Sequence, residues 1–109
     1  MRQAAVFRNK VFVGFLIEED RQNYVFRYDD AWLRDAKKPA LSLTLPKTKQ
    51  AYRQPFLFPF FFNMLSEGAN KQLQCRYLHI DENDNFGLLV ATAHSDTVGA
   101  VTVKSVANE

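Results

Sequence analysis

A chain of 109 residues has room for one hydrophobic core and too little for two, so a single domain over residues 1–109 is expected. A net charge of +2 gives no strong electrostatic case for nucleic acid or anionic lipid. The single cysteine, Cys75, excludes an internal disulfide and a four-thiolate zinc site. The opening Met1-Arg2-Gln3 lacks the apolar segment of a signal peptide, so the expected location is cytoplasmic.

In chain order, residues 3–8 read as a short strand and Asn9-Lys10 as a turn. Residues 11–17, VFVGFLI, form an almost continuous apolar run, the pattern of a strand covered on both faces. Gly14 inside it marks a bulge or a close backbone approach. A charged turn over 18–23 leads to Tyr24-Val25-Phe26-Arg27-Tyr28, which alternates with period two, so an antiparallel meander of three strands is predicted. Asp29 or Asp30 caps a short helix through Leu33 and Ala36, because a carboxylate accepts from the free N–H groups of a first helical turn. Trp32, the only tryptophan, reads as a lid on the core in preference to a ligand platform. Lys37-Lys38-Pro39 ends that helix, Leu41–Leu45 alternates as a strand, and Pro46 ends the strand.

Lys47–Gln54 is a basic connection around an aromatic ring. Lys47, Lys49 and Arg53 with Tyr52 offer contacts to phosphate and a base, yet three charges are a thin footprint. A solvated loop and a contact for an acidic protein partner are the competing readings. Pro55–Gly68 follows, with five of the ten phenylalanines between Phe56 and Phe62. The stripes Leu57/Phe60/Phe61/Met64 and Phe58/Phe61/Phe62/Leu65 both have helical spacing, with Pro59 in the first turn and Gly68 as a stop or hinge. A helix apolar on nearly every face is either buried in the domain or docked on something else. The apolar run is far shorter than the roughly 20 residues a bilayer requires. A central core helix, the most buried in the domain, is expected, and part of its face is a candidate interface through Phe60, Met64, Ser66 and Glu67.

Leu73, Tyr77 and Leu78 lie at helical spacing within a predicted helix over about 69–78, where Cys75 reads as an inert thiol. Asp81-Glu82-Asn83-Asp84 lacks the loop length of a calcium site and reads as a turn that caps the next helix, whose face is Phe86/Leu89/Val90/Ala93. Gly99–Val103 is a final strand and Val106–Glu109 a frayed tail. His79 and His94 fit no metal-ligand spacing, and the four glycines fall into no phosphate-binding loop, so no enzyme, cofactor or metal is expected. Together the elements predict an α+β fold: an antiparallel sheet curled as a partly open barrel, with about three helices packed on one side.

Three ordered blocks carry a family resemblance: Leu41-Ser42-Leu43-Thr44-Leu45-Pro46; the Phe-rich helix closing with Leu65-Ser66-Glu67-Gly68; and Asp84-Asn85-Phe86-Gly87-Leu88-Leu89 leading to Asp96 and Gly99-Ala100-Val101. They resemble the strand end, helix junction, helix and final strand of the N-terminal subdomain of HipA-like serine/threonine kinases, over nearly the whole chain. Ser66 stands where the family usually has proline, and His94 where a glycine often precedes the aspartate. The nucleotide-binding loop and catalytic aspartates of the kinase are missing. The resemblance therefore implies a stand-alone version of the module, similar to HipS of three-part toxin–antitoxin systems. It implies a HipA-like kinase as partner, held in check by this chain, and a helix-turn-helix DNA-binding protein in the same complex. A structural subunit that completes a split kinase without inhibiting it is the alternative, and a small nucleic-acid-binding protein is a third reading. Lys47, Lys49, Tyr52, Arg53, Phe60, Met64, Ser66 and Glu67 are the candidate partner contacts.

Overall fold

Period-two alternation builds five antiparallel strands: β1 (Arg2–Arg8), β2 (Val11–Asp20), β3 (Asn23–Tyr28), β4 (Ala51–Gln54) and β5 (Val101–Ser105), in the order β4-β3-β2-β1-β5. The computed structural model describes residues 1–65, 68–93 and 101–106. Four helices accompany the sheet among these residues: α1 (Asp30–Arg34), α2 (Pro59–Phe62), α3 (Gly68–Leu78) and α4 (Asn85–Thr92). The α+β class is as expected. The sheet is not closed: among the described residues β4 pairs only with β3 and β5 only with β1, which leaves two open edges. Among the described residues there are four helices where about three were expected.

The expected meander is present. Asn9 and Lys10 both have positive φ, 50° and 69°, the geometry of a two-residue turn whose twist matches its strands. Val6 pairs with Gly14 but Phe7 pairs with Phe12, so β2 carries a bulge at Val13. The bulge places Phe12 and Phe15 on one side of the sheet, although a spacing of three would separate them in a regular strand. Gly14 is required here by close approach, since a Cβ would lie 2.1 Å from the Arg27 carbonyl oxygen.

One side of the sheet holds Ala4, Val6, Leu16, Phe26, Tyr28, Val101 and Val103, all buried beneath the helices. Asp29 is the helix cap of α1, accepting from the Ala31 N–H. Trp32 is buried as a core lid and donates through Nε1 to the Pro39 carbonyl at 2.9 Å. Asp84 caps α4 by accepting from the Gly87 N–H at 3.0 Å.

Four expectations need correction. Leu41–Leu45 is a turn and not a strand. The Leu45 N–H donates to the Ser42 carbonyl, and the Tyr28 hydroxyl accepts from the Leu41 N–H while donating to the Leu45 carbonyl. Serine and threonine supply the competing local bonds, with the Thr44 N–H donating to Ser42 Oγ. Leu41 and Leu45 are buried and Leu43 is fully exposed, so the alternation is real but belongs to a turn.

The second correction concerns the basic connection, whose end forms strand β4. The third concerns the Phe-rich helix, which is only four residues long and not the most buried: within it Phe61 is buried, Phe60 half-buried and Phe62 exposed, whereas α4 buries Phe86, Leu88 and Leu89. The segment's remaining apolar bulk, Leu57, Phe58 and Leu65, enters the core from outside the helix. The fourth concerns α3. Its Leu73, Tyr77 and Leu78 point outward, and Cys75 is the side chain that enters the core. The expected residues Ser66, Glu67, His94, Asp96, Gly99 and Ala100, and the end of the tail, lie outside the described residues.

Candidate docking surface

The candidate contacts divide into groups that the fold uses differently. Lys47 is half-buried, and its ammonium donates to the carbonyls of Asp35 and Lys38 at 2.7 and 2.8 Å, tying the connection to the end of α1. Lys49 is exposed, with its Nζ 4.7 Å from the centre of the Tyr52 ring. Tyr52 is half-buried against the core and donates its hydroxyl to the Pro46 carbonyl. Arg53 is exposed and paired with Glu19 across the sheet. Its hydrogen bond holds the Glu19 carboxyl below the usual range and raises Arg53. Among the described residues Arg53 is the one cation of the connection paired with a carboxylate, and β4 carries Tyr52 and Arg53 at one sheet edge with Lys49 just ahead of the strand.

Phe60 and Met64 pack against the core, the former edge-on to Phe61 at 5.2 Å. The segment's exposed apolar side chains are Phe56 and Phe62. With Leu57, Pro59, Asn63 and Asn85 they line a depression of about 270 Å3. A second apolar depression of about 360 Å3 is lined by Leu73, Gln74, Tyr77, Leu78 and Thr92. The sequence signal for Phe56 and Phe62 was present in the all-round apolar character of the segment. Which of its faces stays outside depends on where β4 delivers the chain.

Sequence reasoning missed a charged cluster on the helix side of the sheet. Arg2 Nε donates to Glu18 at 2.8 Å, and two of its nitrogens donate to Asp84 at 2.7 and 3.0 Å. Glu18 also accepts from the Tyr24 hydroxyl at 2.8 Å, and the Arg2 guanidinium lies 5.0 Å from the centre of the Phe86 ring. The Arg2 hydrogen bond holds Asp84 below the usual carboxylate range, while burial, followed by the bond to Glu18, pushes Tyr24 up to about 12. The cluster joins three strands to the start of α4 and has every charge paired. It is a clamp between the strands and α4. Among the described residues no group of three or more His, Cys, Asp or Glu side chains is placed to hold a metal, and no helix is long and apolar enough to cross a membrane.

The fold is shared with known proteins. The family model of the HipA N-terminal domain matches residues 4–104. The chain belongs to the HipA N-terminal domain family. A solved structure described as the N-terminal domain of HipA toxin superposes with a TM-score of 0.72 at 26% identity, covering 100% of this chain and 96% of that one. An uncharacterized protein of Haemophilus influenzae is 30% identical over 104 residues, 95% of this chain and 92% of its own length. A Sinorhizobium fredii protein bearing the kinase name Y4mE is 29% identical over 77 residues, 71% of this chain. The match spans only 18% of that protein's length. The resemblance seen in the three sequence blocks therefore holds at the level of the family, which corresponds to a non-catalytic part of the kinase.

Proposed function

We propose that this chain is a non-catalytic binding module that docks on a HipA-like serine/threonine kinase and restrains it in the cytoplasm. It acts as one domain and as an antitoxin-like component, with a helix-turn-helix DNA-binding protein as a further member of the complex. The observation that carries this reading is the unequal coverage of the relatives. The HipA N-terminal domain model takes in nearly the whole of this chain but the match is under a fifth of the kinase-named relative. A module joined to a kinase in one protein has a surface turned toward that kinase, and it keeps that surface when it is made separately. The Haemophilus influenzae relative, matched over 92% of its length, supports such a separate form.

The proposed contacts are Tyr52 and Arg53 on β4 and Lys49 just before it, with the exposed rings of Phe56 and Phe62. Phe60 and Met64 act behind them as core support, and Lys47 holds the loop in shape. Ser66 and Glu67 belong to the contact set by their place in the chain. Nucleic-acid binding by the basic connection loses support because Lys47 and Arg53 are already engaged.

The test uses a HipA-like kinase from which the N-terminal module has been deleted. Phosphotransfer is measured with and without an equimolar amount of this chain, alongside binding. Binding with loss of phosphotransfer is the expected result. Binding with a gain identifies a completing subunit and overturns restraint. Absence of binding, with no truncated kinase encoded beside this chain's gene, overturns docking itself.

A further inference from the structure

Among the described residues the apolar run in β2 is covered on one side only. On the sheet face away from the helices lie Ala5, Phe7, Phe12, Phe15, Ile17 and Val25, all half-buried and none packed on the core. They are neighbours across strands: Phe7 opposite Phe12, Ala5 opposite Phe15, Ile17 opposite Val25. Ring centres of Phe7 and Phe12 lie 5.7 Å apart, and those of Phe12 and Phe15 5.1 Å. Antiparallel sheets with one solvated face alternate apolar-in and polar-out, and these three strands do not. The bulge at Val13 assembles the three rings into one patch.

The charges around the patch are unequal. Arg53 and Glu19 cancel in the row beside Val25. Arg27 lies opposite Phe15, and Lys104 lies opposite Ala5 with its Nζ 5.6 Å from the Phe7 ring centre. Among the described residues neither cation has a carboxylate partner. Beside Phe15 and Arg27 a hollow of about 230 Å3 reaches Asp29, Asp30 and Gln50. Both of its carboxylates are engaged: Asp29 caps α1, and Asp30 accepts from the Gln50 amide.

We infer that the kinase-docking surface extends from β4 across this outer sheet face, and that Phe7, Phe12 and Phe15 receive an apolar, carboxylate-bearing segment of the kinase. The inference rests on the kinase-docking reading and names its surface. Continuity supports it, because Arg53 stands in the same cross-strand row as Ile17 and Val25. Charge supports it as well. Two cations beside an aromatic patch attract carboxylates and steer their approach. A second copy of this chain would bring Arg27 and Lys104 against the same cations, and two cations are too few to follow a phosphate backbone.

The experiment measures binding of the module-deleted kinase to the wild-type chain, to the double variant Phe12→Ser/Phe15→Ser and to Tyr77→Ser on α3. Circular dichroism reports the fold of each. The double variant is expected to weaken the Kd by at least about tenfold, as truncation of buried aromatic anchors does, and Tyr77→Ser by less than about twofold. Arg27→Glu/Lys104→Glu is expected to slow association and flatten its salt dependence. Hydroxyl-radical footprinting of the wild-type complex keeps the test open if the double variant does not fold: oxidation of Phe12 and Phe15 falls on complex formation. Unchanged affinity in a folded double variant, or unchanged oxidation in the complex, overturns the inference while leaving kinase docking intact. So does a wild-type dimer in sedimentation, or binding to a polyuridine 12-mer, that the double variant abolishes. A wild-type chain that binds no kinase removes the docking reading and this inference together.

Discussion

The two faces of the sheet are built from the same strands and end in different states. On the helix side, Val6, Leu16, Phe26 and Val103 are fully buried, and Phe61 of α2 meets Phe26 with ring centres 5.8 Å apart. On the outer side, Phe12 touches both Phe7 and Phe15, and all three stay half-exposed. Full burial of such a side chain is worth roughly 1.5–3 kcal/mol, so the inner face has realised its hydrophobic stabilisation and the outer face only part of it. The unrealised part is available to a partner. A strand apolar on both faces therefore specifies more than its own fold; β2 carries one face for the domain and one that, on the inference above, serves assembly.

The largest expected effect separates the faces directly. Phe61→Ala should cost roughly 3–5 kcal/mol, the range for emptying a filled aromatic site, whereas Phe15→Ala should cost under about 1.5 kcal/mol because its site is open to water. Urea titrations at unchanged slope measure both, and equal costs would break the comparison. Next comes Gly14→Ala at the bulge. Its Cβ would meet a backbone carbonyl, which cannot move aside as a side chain can, so a loss of about 1–3 kcal/mol or more is expected. A loss below about 0.5 kcal/mol in the same titration would mean that the sheet yields there.

The smallest effects concern the clamp between the inner face and α4, and their signs follow from linkage. The carboxyl of Asp84 is depressed in the folded chain, so its contribution is present above the ordinary value of 3.8 and is lost as pH falls through the lower folded value. The melting temperature should drop on acidification through this window more steeply for wild type than for Asp84→Asn. Tyr24 is shifted the other way. Its contribution is present below its ordinary value of 10 and is lost as pH rises through about 12. Tyr24→Phe should reduce the alkaline fall in melting temperature, and identical profiles for variant and wild type would remove Tyr24 from the clamp.

The meander and the two helix caps were legible because their causes are local: period-two alternation, a two-residue turn, a carboxylate ahead of a helix. What escaped has causes distant in sequence. Leu41–Leu45 alternates as a strand does, but the hydroxyl that shapes it as a turn comes from Tyr28. Leu73, Tyr77 and Leu78 have the spacing of a buried stripe, and spacing alone does not say which face of α3 the sheet accepts. The charges of Lys47 and Arg53 looked free in the sequence because their partners, the Asp35 and Lys38 carbonyls and Glu19, lie many residues away. The same distance hid the Arg2–Asp84 pair, whose members are 82 residues apart. The apolar character of β2 on both faces was legible in the sequence. That one of those faces remains uncovered could be read only from the assembled sheet.

Docking on the kinase through apolar surface is tested most directly by calorimetry at several temperatures. This chain is titrated into the module-deleted HipA-like kinase, and the heat capacity change of binding is read from the slope of the enthalpy. Saturable one-to-one binding with a clearly negative heat capacity change is predicted, since burial of apolar surface produces that sign. No heat of binding at any temperature, or binding that disappears with salt and has a heat capacity change near zero, would contradict it.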